Sequence, residues 1–266
     1  MPIGIFDSGI GGLTVLKEIL GELPCESTLY LGDTARVPYG IRSPETVERY
    51  SFETTRFLSS EGIKLLVVAC NTVSSISLEA IKSFLTIPVV GVIEPGSKAA
   101  VSSTHNKKVG IIGTEATIRS NAYARAINAI DSTIEVFGLP CPLFVPLVEE
   151  GWTEGAIAEM TAERYLRNIK DKGIDTLVLG CTHYPLLKDV LSKIMGENVT
   201  LIDSAIETAR EIKSVLSKLS LLRTEPASAL RRFYVTDSPE KFKNVGERFL
   251  GTKINYIKKI QLGAEV

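Results

Sequence analysis

The feature that most constrains this chain is a repeated unit of strand and loop, with a cysteine at the same place each time. Ile3-Gly4-Ile5-Phe6 opens the chain, and Val109-Gly110-Ile111-Ile112 opens a similar unit 106 residues later. Leu66-Val67-Val68-Ala69-Cys70-Asn71-Thr72 returns 111 residues on as Leu177-Val178-Leu179-Gly180-Cys181-Thr182-His183. Two landmarks at nearly one offset point to a duplicated architecture. Its strands are continuous apolar runs, which predicts parallel sheets covered by helices on both faces.

Further strands are predicted at Thr28–Leu31, Leu65–Ala69, Val89–Val92, Thr200–Ile202 and Phe233–Thr236. Ser43-Pro44-Glu45 sets an N-cap, a first-turn proline and an acidic residue ahead of a helix reaching about Ser59. Ser238-Pro239-Glu240 repeats that signature before the final helix, and Glu94-Pro95-Gly96 reads as a crossover between the halves. After Asp203 a long helix and the strand at 233–236 are surplus to the second unit, so the chain is expected to return and complete the first. The division predicted is 1–95 with 208–266, and 96–207.

At 266 residues, with 44% hydrophobic and 23% charged, the chain can bury two ordinary cores. Thirty basic residues against thirty-one acidic leave no footprint for nucleic acid or an anionic membrane surface. No apolar run approaches the roughly 18 residues of a membrane span. The start, MPIGIFDSG, has no basic stretch ahead of an apolar one, so a cytoplasmic location is expected. None of the four cysteines forms a C-x-x-C, and His105 and His183 are the only histidines; no metal and no disulfide framework are expected.

Cys70 and Cys181 both follow strands, where open parallel sheets bind ligands, and both are expected to precede helices. A helix N-terminus favours thiolate. Thiols from opposing halves suit removal of a proton from one face of a stereocentre and delivery of another to the opposite face. Asp7 and Ser8 open the loop Asp7-Ser8-Gly9-Ile10-Gly11-Gly12, which fits neither a P-loop nor a dinucleotide fingerprint. Its glycines are expected to allow close approach of a small anion. Asp7 would take a proton or bind an ammonium, and Ser8 would hydrogen-bond the substrate. Amides at Asn71, Thr72 and Thr182 are placed to hold a carboxylate. If Cys181 keeps strand geometry, His183 shares its face. Tyr39-Gly40 forms a turn suited to a substrate loop, and Glu149 is a weaker acid/base candidate.

In order along the chain, FDSGIGGLTV (6–15), LGDTARVPYG (31–40), VACNTVSS (68–75), GVIEPG (91–96), GTEATIRS (113–120), PLFVPLVEEG (142–151) and GCTHYPLL (180–187) resemble the glutamate racemases of the aspartate/glutamate racemase family. The resemblance implies an α/β fold of two pseudo-symmetric doubly wound domains, with mostly parallel sheets and the active site at their interface. It implies racemisation of L-glutamate to D-glutamate for peptidoglycan, with glutamate as the small-molecule substrate, no cofactor, and a homodimer. Acid/base roles fall on Cys70 and Cys181, supported by Asp7 near the first and by Glu149 and His183 near the second. Substrate contacts fall on Asp7, Ser8, Tyr39, Gly40, Asn71, Thr72, Thr182 and His183. The runner-up is a related cofactor-free racemase acting on aspartate or a hydantoin. A pyridoxal-phosphate enzyme would need a Schiff-base lysine, which the strand-end motifs lack. A two-lobed amino-acid binding protein would bind ligand without exchanging its α-proton.

Overall fold

The computed structural model describes residues 1–225 and 229–263. Its strands are β1 (Ile3–Asp7), β2 (Thr28–Gly32), β3 (Leu65–Val68), β4 (Val89–Gly91), β5 (Lys108–Gly113), β6 (Glu135–Pro140), β7 (Thr176–Gly180), β8 (Thr200–Asp203), β9 (Arg231–Val235) and β10 (Ile257–Lys259). They form two sheets, ordered β10-β9-β2-β1-β3-β4 and β6-β5-β7-β8, with every pairing parallel. Within the first sheet, β2-β1-β3-β4 has the same order as the whole of the second. The repeat read in the sequence is therefore a repeat of topology, and the first sheet is extended by β9 and β10.

Alternation of side chains decides what each sheet buries. Ile3, Ile5, Leu65 and Val67 face a core that also takes Ile112, Leu177 and Leu179 of the second sheet. Phe6, Leu66 and Val68 face the opposite side of the first sheet, and Val109, Ile111 and Val178 that of the second. The chain passes between the sheets through helices Ile93–Ser103 and Ser204–Lys218, which pack on each other. The expected half boundaries, 95/96 and 207/208, fall inside these two helices. Among the described residues no helix is long and apolar enough to cross a membrane.

The structure departs from the expectations in three places. Glu94-Pro95-Gly96 is the first turn of helix Ile93–Ser103 and not an open crossover. Proline is tolerated there because first-turn N–H groups have no helical partner. Ser43 does cap, accepting from Thr46 N–H, whereas Ser238 adopts a left-handed conformation (φ 47°) and makes no side-chain cap. Strands β6 and β10 were not anticipated. β6 is largely exposed and carries Gly138 and Pro140, and β10 is a three-residue edge strand.

Candidate active site

Register places the two cysteines. β1 pairs with β3 so that Phe6 lies opposite Val68, which brings Cys70 beside the loop after Asp7. In the second sheet Gly113 lies opposite Gly180, so Thr114 and Cys181 leave their strands side by side.

Cys70 is buried and its thiol donates to Ser8 Oγ at 3.4 Å. Asp7 is fully buried at the end of β1; its Oδ2 accepts from Gly9 N–H at 2.9 Å, and its Oδ1 has no partner. Burial raises the Asp7 carboxyl above its usual range, against the lowering influence of the His183 charge and loop amides. Burial and the Asp7 charge push the Cys70 thiol up to about 12. Cys70 does occupy the N-cap position of a helix, Asn71–Ile76, but its side chain makes no cap, the helix has only six residues, and desolvation outweighs its dipole. The expectation of a thiol lowered by its helix is corrected in direction: burial raises Cys70, so a base near it must draw off its proton before it can act as thiolate.

Cys181 sits in different company. Its Sγ is 3.8 Å from His183 Nδ1, and His183 Nε2 is 3.2 Å from Glu149 Oε1. His183 reaches Cys181 through a bend leading into the 3-10 turn Tyr184–Leu187, with helical angles at His183 itself. The expected route, alternation along a strand into a helix, is replaced by this tighter turn. Glu149 comes from the last turn of helix Phe144–Glu150, which stops at Gly151 with φ 81°. Burial opposes the His183 imidazolium, but hydrogen bonds to Cys181 and Glu149, and their charges, push its pKa up to about 10. The hydrogen bond from His183 holds the Glu149 carboxyl below its usual range.

Because the folded pKa of His183 lies above the unfolded one, its stabilisation is complete below about pH 6.5. It fades as pH rises through about 10. Thermal melts of wild type and Glu149→Gln are expected to differ most near pH ~6 and to converge toward pH ~10. A difference constant across that range would refute the charged pair.

One narrow cleft is lined by both cysteines and by Ser8, Tyr39, Gly40, Asn71, Thr72, Thr182 and His183. Asp7 and Glu149 do not line it: Asp7 immediately precedes Ser8, and Glu149 is hydrogen-bonded to His183. Every residue anticipated for the site is thus brought together. Among the described residues no lysine or arginine lines the cleft. A carboxylate there would meet hydroxyls, the Asn71 amide and the His183 imidazole. Asn71 is braced for this: its Oδ1 accepts from Tyr123 at 2.7 Å, while its buried Nδ2 has no partner. Tyr39 is braced too, its hydroxyl bonding to the buried Asp33 carboxylate.

Val37, Pro38, Thr114 and Val145 also line the cleft and were not anticipated. Thr114 Oγ1 lies 3.0 Å from Thr72 Oγ1 and 3.0 Å from Thr117 Oγ1, a hydroxyl cluster across the two halves. The repeat contained the signal, since Thr114 follows β5 as Ser8 follows β1. Among the described residues no three His, Cys, Asp or Glu side chains converge to hold a metal ion.

The sequence model of the Asp/Glu/hydantoin racemase family matches residues 13–212. A glutamate racemase of Geobacter metallireducens is 56% identical over 263 residues, covering 99% of this chain and 97% of its own. Among solved structures, a glutamate racemase from Bacillus anthracis superposes with a TM-score of 0.95 at 42% identity, covering 98% of this chain and 97% of that one. A Francisella tularensis glutamate racemase in complex with D-glutamate gives 0.92 at 42% identity, with the same coverages. The chain belongs to the Asp/Glu/hydantoin racemase family.

Proposed function

We propose that the protein interconverts L- and D-glutamate without a cofactor, using Cys70 and Cys181 as opposing acid/base groups. The observation that carries this reading is that two thiols, one from each half of a repeated fold, line one small cleft. One thiolate takes the α-proton, leaving a carbanion, and the opposing thiol delivers its proton to the other face. The product is the mirror image, and the two sulfurs have exchanged protonation states. Asp7 and Ser8 serve the Cys70 side, and His183 with Glu149 the Cys181 side, which resets each sulfur for the next turnover. Ser8, Tyr39-Gly40, Asn71-Thr72 and Thr182 hold the two carboxylates and the ammonium with Asp7.

Glutamate is preferred over aspartate or a hydantoin because the relatives similar over almost the full chain are glutamate racemases. The same reading assigns residues 1–95 with 208–266 to one half and 96–207 to the other. It places the enzyme in the cytoplasm as a homodimer supplying D-glutamate to peptidoglycan. Incubation with L-glutamate in deuterated water is expected to yield D-glutamate carrying deuterium at Cα. Binding without exchange, or turnover of aspartate alone, would sink the assignment.

A further inference from the structure

The two proton carriers differ in one respect that the reaction itself does not require. Ser8 and Asp7, which serve Cys70, leave a strand of the same sheet as Cys70. The Glu149–His183 pair, which serves Cys181, is gripped from the other half. Helix Pro239–Leu250 is anchored on the first sheet, where Phe242 packs 5.8 Å from Tyr30 and 6.2 Å from Phe233, centroid to centroid. Its far end reaches across. The buried Phe249 ring stands perpendicular to the His183 imidazole, at 5.7 Å and 88°. Arg248 Nη2 donates to the Glu149 carbonyl at 3.1 Å. Gly151 makes room for this, because a methyl group there would lie 2.1 Å from Arg248 Nη1.

We propose that Phe249 and Arg248 are positioning residues for the Cys181 side: the helix from the first half clamps the Glu149–His183 pair of the second. Phe249 fixes the plane of the imidazole and walls it from water. Arg248 fixes the backbone from which the Glu149 carboxylate is aimed. Neither touches substrate. The Cys181 relay is thereby complete only while the two halves are together, whereas the Cys70 relay stays within its own half. The inference rests on the two-thiol reading of the site.

The reaction supplies an unusual readout. Racemisation has an equilibrium constant of one, so kcat/KM must be equal for the two enantiomers in any variant. An imbalance between the two proton transfers appears instead in isotope effects. The test measures kcat/KM for L- and D-glutamate, each with hydrogen or deuterium at Cα, in Phe249→Leu and Arg248→Gln. Loosening the clamp is expected to lower kcat by about 10- to 100-fold. The primary isotope effect should grow for the enantiomer deprotonated at Cys181 and shrink toward unity for the other. Arg248→Lys, which keeps a donor, should restore much of the balance. Because Arg248 is exposed, Arg248→Gln carries the test even if Phe249→Leu fails to fold. Isotope effects in folded Arg248→Gln that match the wild-type values for both enantiomers, with or without loss of activity, would overturn the proposal. Absence of glutamate racemisation in the wild type would instead overturn the proposed function.

Discussion

Alanine at Cys70 or at Cys181 is expected to abolish net inversion of glutamate while leaving the fold in place. Both side chains are small and buried beside a cleft, so their removal creates little cavity and breaks no backbone contact. Loss of one positioned acid/base group costs about 10²- to 10⁴-fold in rate, and on the two-thiol reading each face of Cα has a single thiol. The two variants are expected to fail in complementary ways. Each retains one thiol able to lift and return the proton on its own face. Each should therefore exchange the α-proton of one enantiomer with solvent without inverting it, and the enantiomer exchanged should differ between the two. Proton NMR in deuterated water, run separately on L- and D-glutamate, reads both outcomes. Inversion by either variant within tenfold of wild type would refute the two-thiol mechanism. Exchange of the same enantiomer by both would refute the opposed geometry.

What the sequence made legible follows from how each element meets water. Central strands such as β1, β3 and β7 are buried along their whole length, so they appear as unbroken apolar runs that admit few other readings. β6 and β10 are edges; their residues face solvent, and their composition is that of a loop. The repeat located both cysteines because thiols stand out against their neighbours. Thr114 occupies the equivalent of Ser8 in the same repeat, yet a lone threonine announces no chemistry until Thr72 is found 3.0 Å away. At Cys70 desolvation of the sulfur outweighs the helix dipole, and residue spacing does not contain the extent of desolvation. Convergence of His183 on Cys181 was foreseen from two-residue spacing, but a bend achieves what strand alternation was expected to do.

The glycine loop shows the same limit and leads to a second large effect. Its glycines were expected to make room for an anion. In the structure Gly11 makes room for the other half: a methyl there would lie 2.2 Å from Thr182 Oγ1 and 2.5 Å from His183 Nδ1. These neighbours have little freedom to retreat, because both are buried, and His183 is held by Glu149 and Phe249. Beside them Thr14 Oγ1 donates to the Thr182 carbonyl at 3.0 Å, tying the first loop to the second. Gly11→Ala is therefore expected to push the Cys181 loop away from the Cys70 loop. A displacement near 1 Å costs about 10²-fold in kcat, and overpacking costs about 1–3 kcal/mol of stability. Gly21→Ala is the matching control, since nothing lies within 4 Å of a methyl at that exposed position in helix Leu13–Glu22. That change should leave turnover untouched and stabilise by about 0.5–1 kcal/mol through helix propensity. Steady-state kinetics with urea denaturation separates the two substitutions. Wild-type kcat in Gly11→Ala would show that the loops need not meet this closely for the proton to cross.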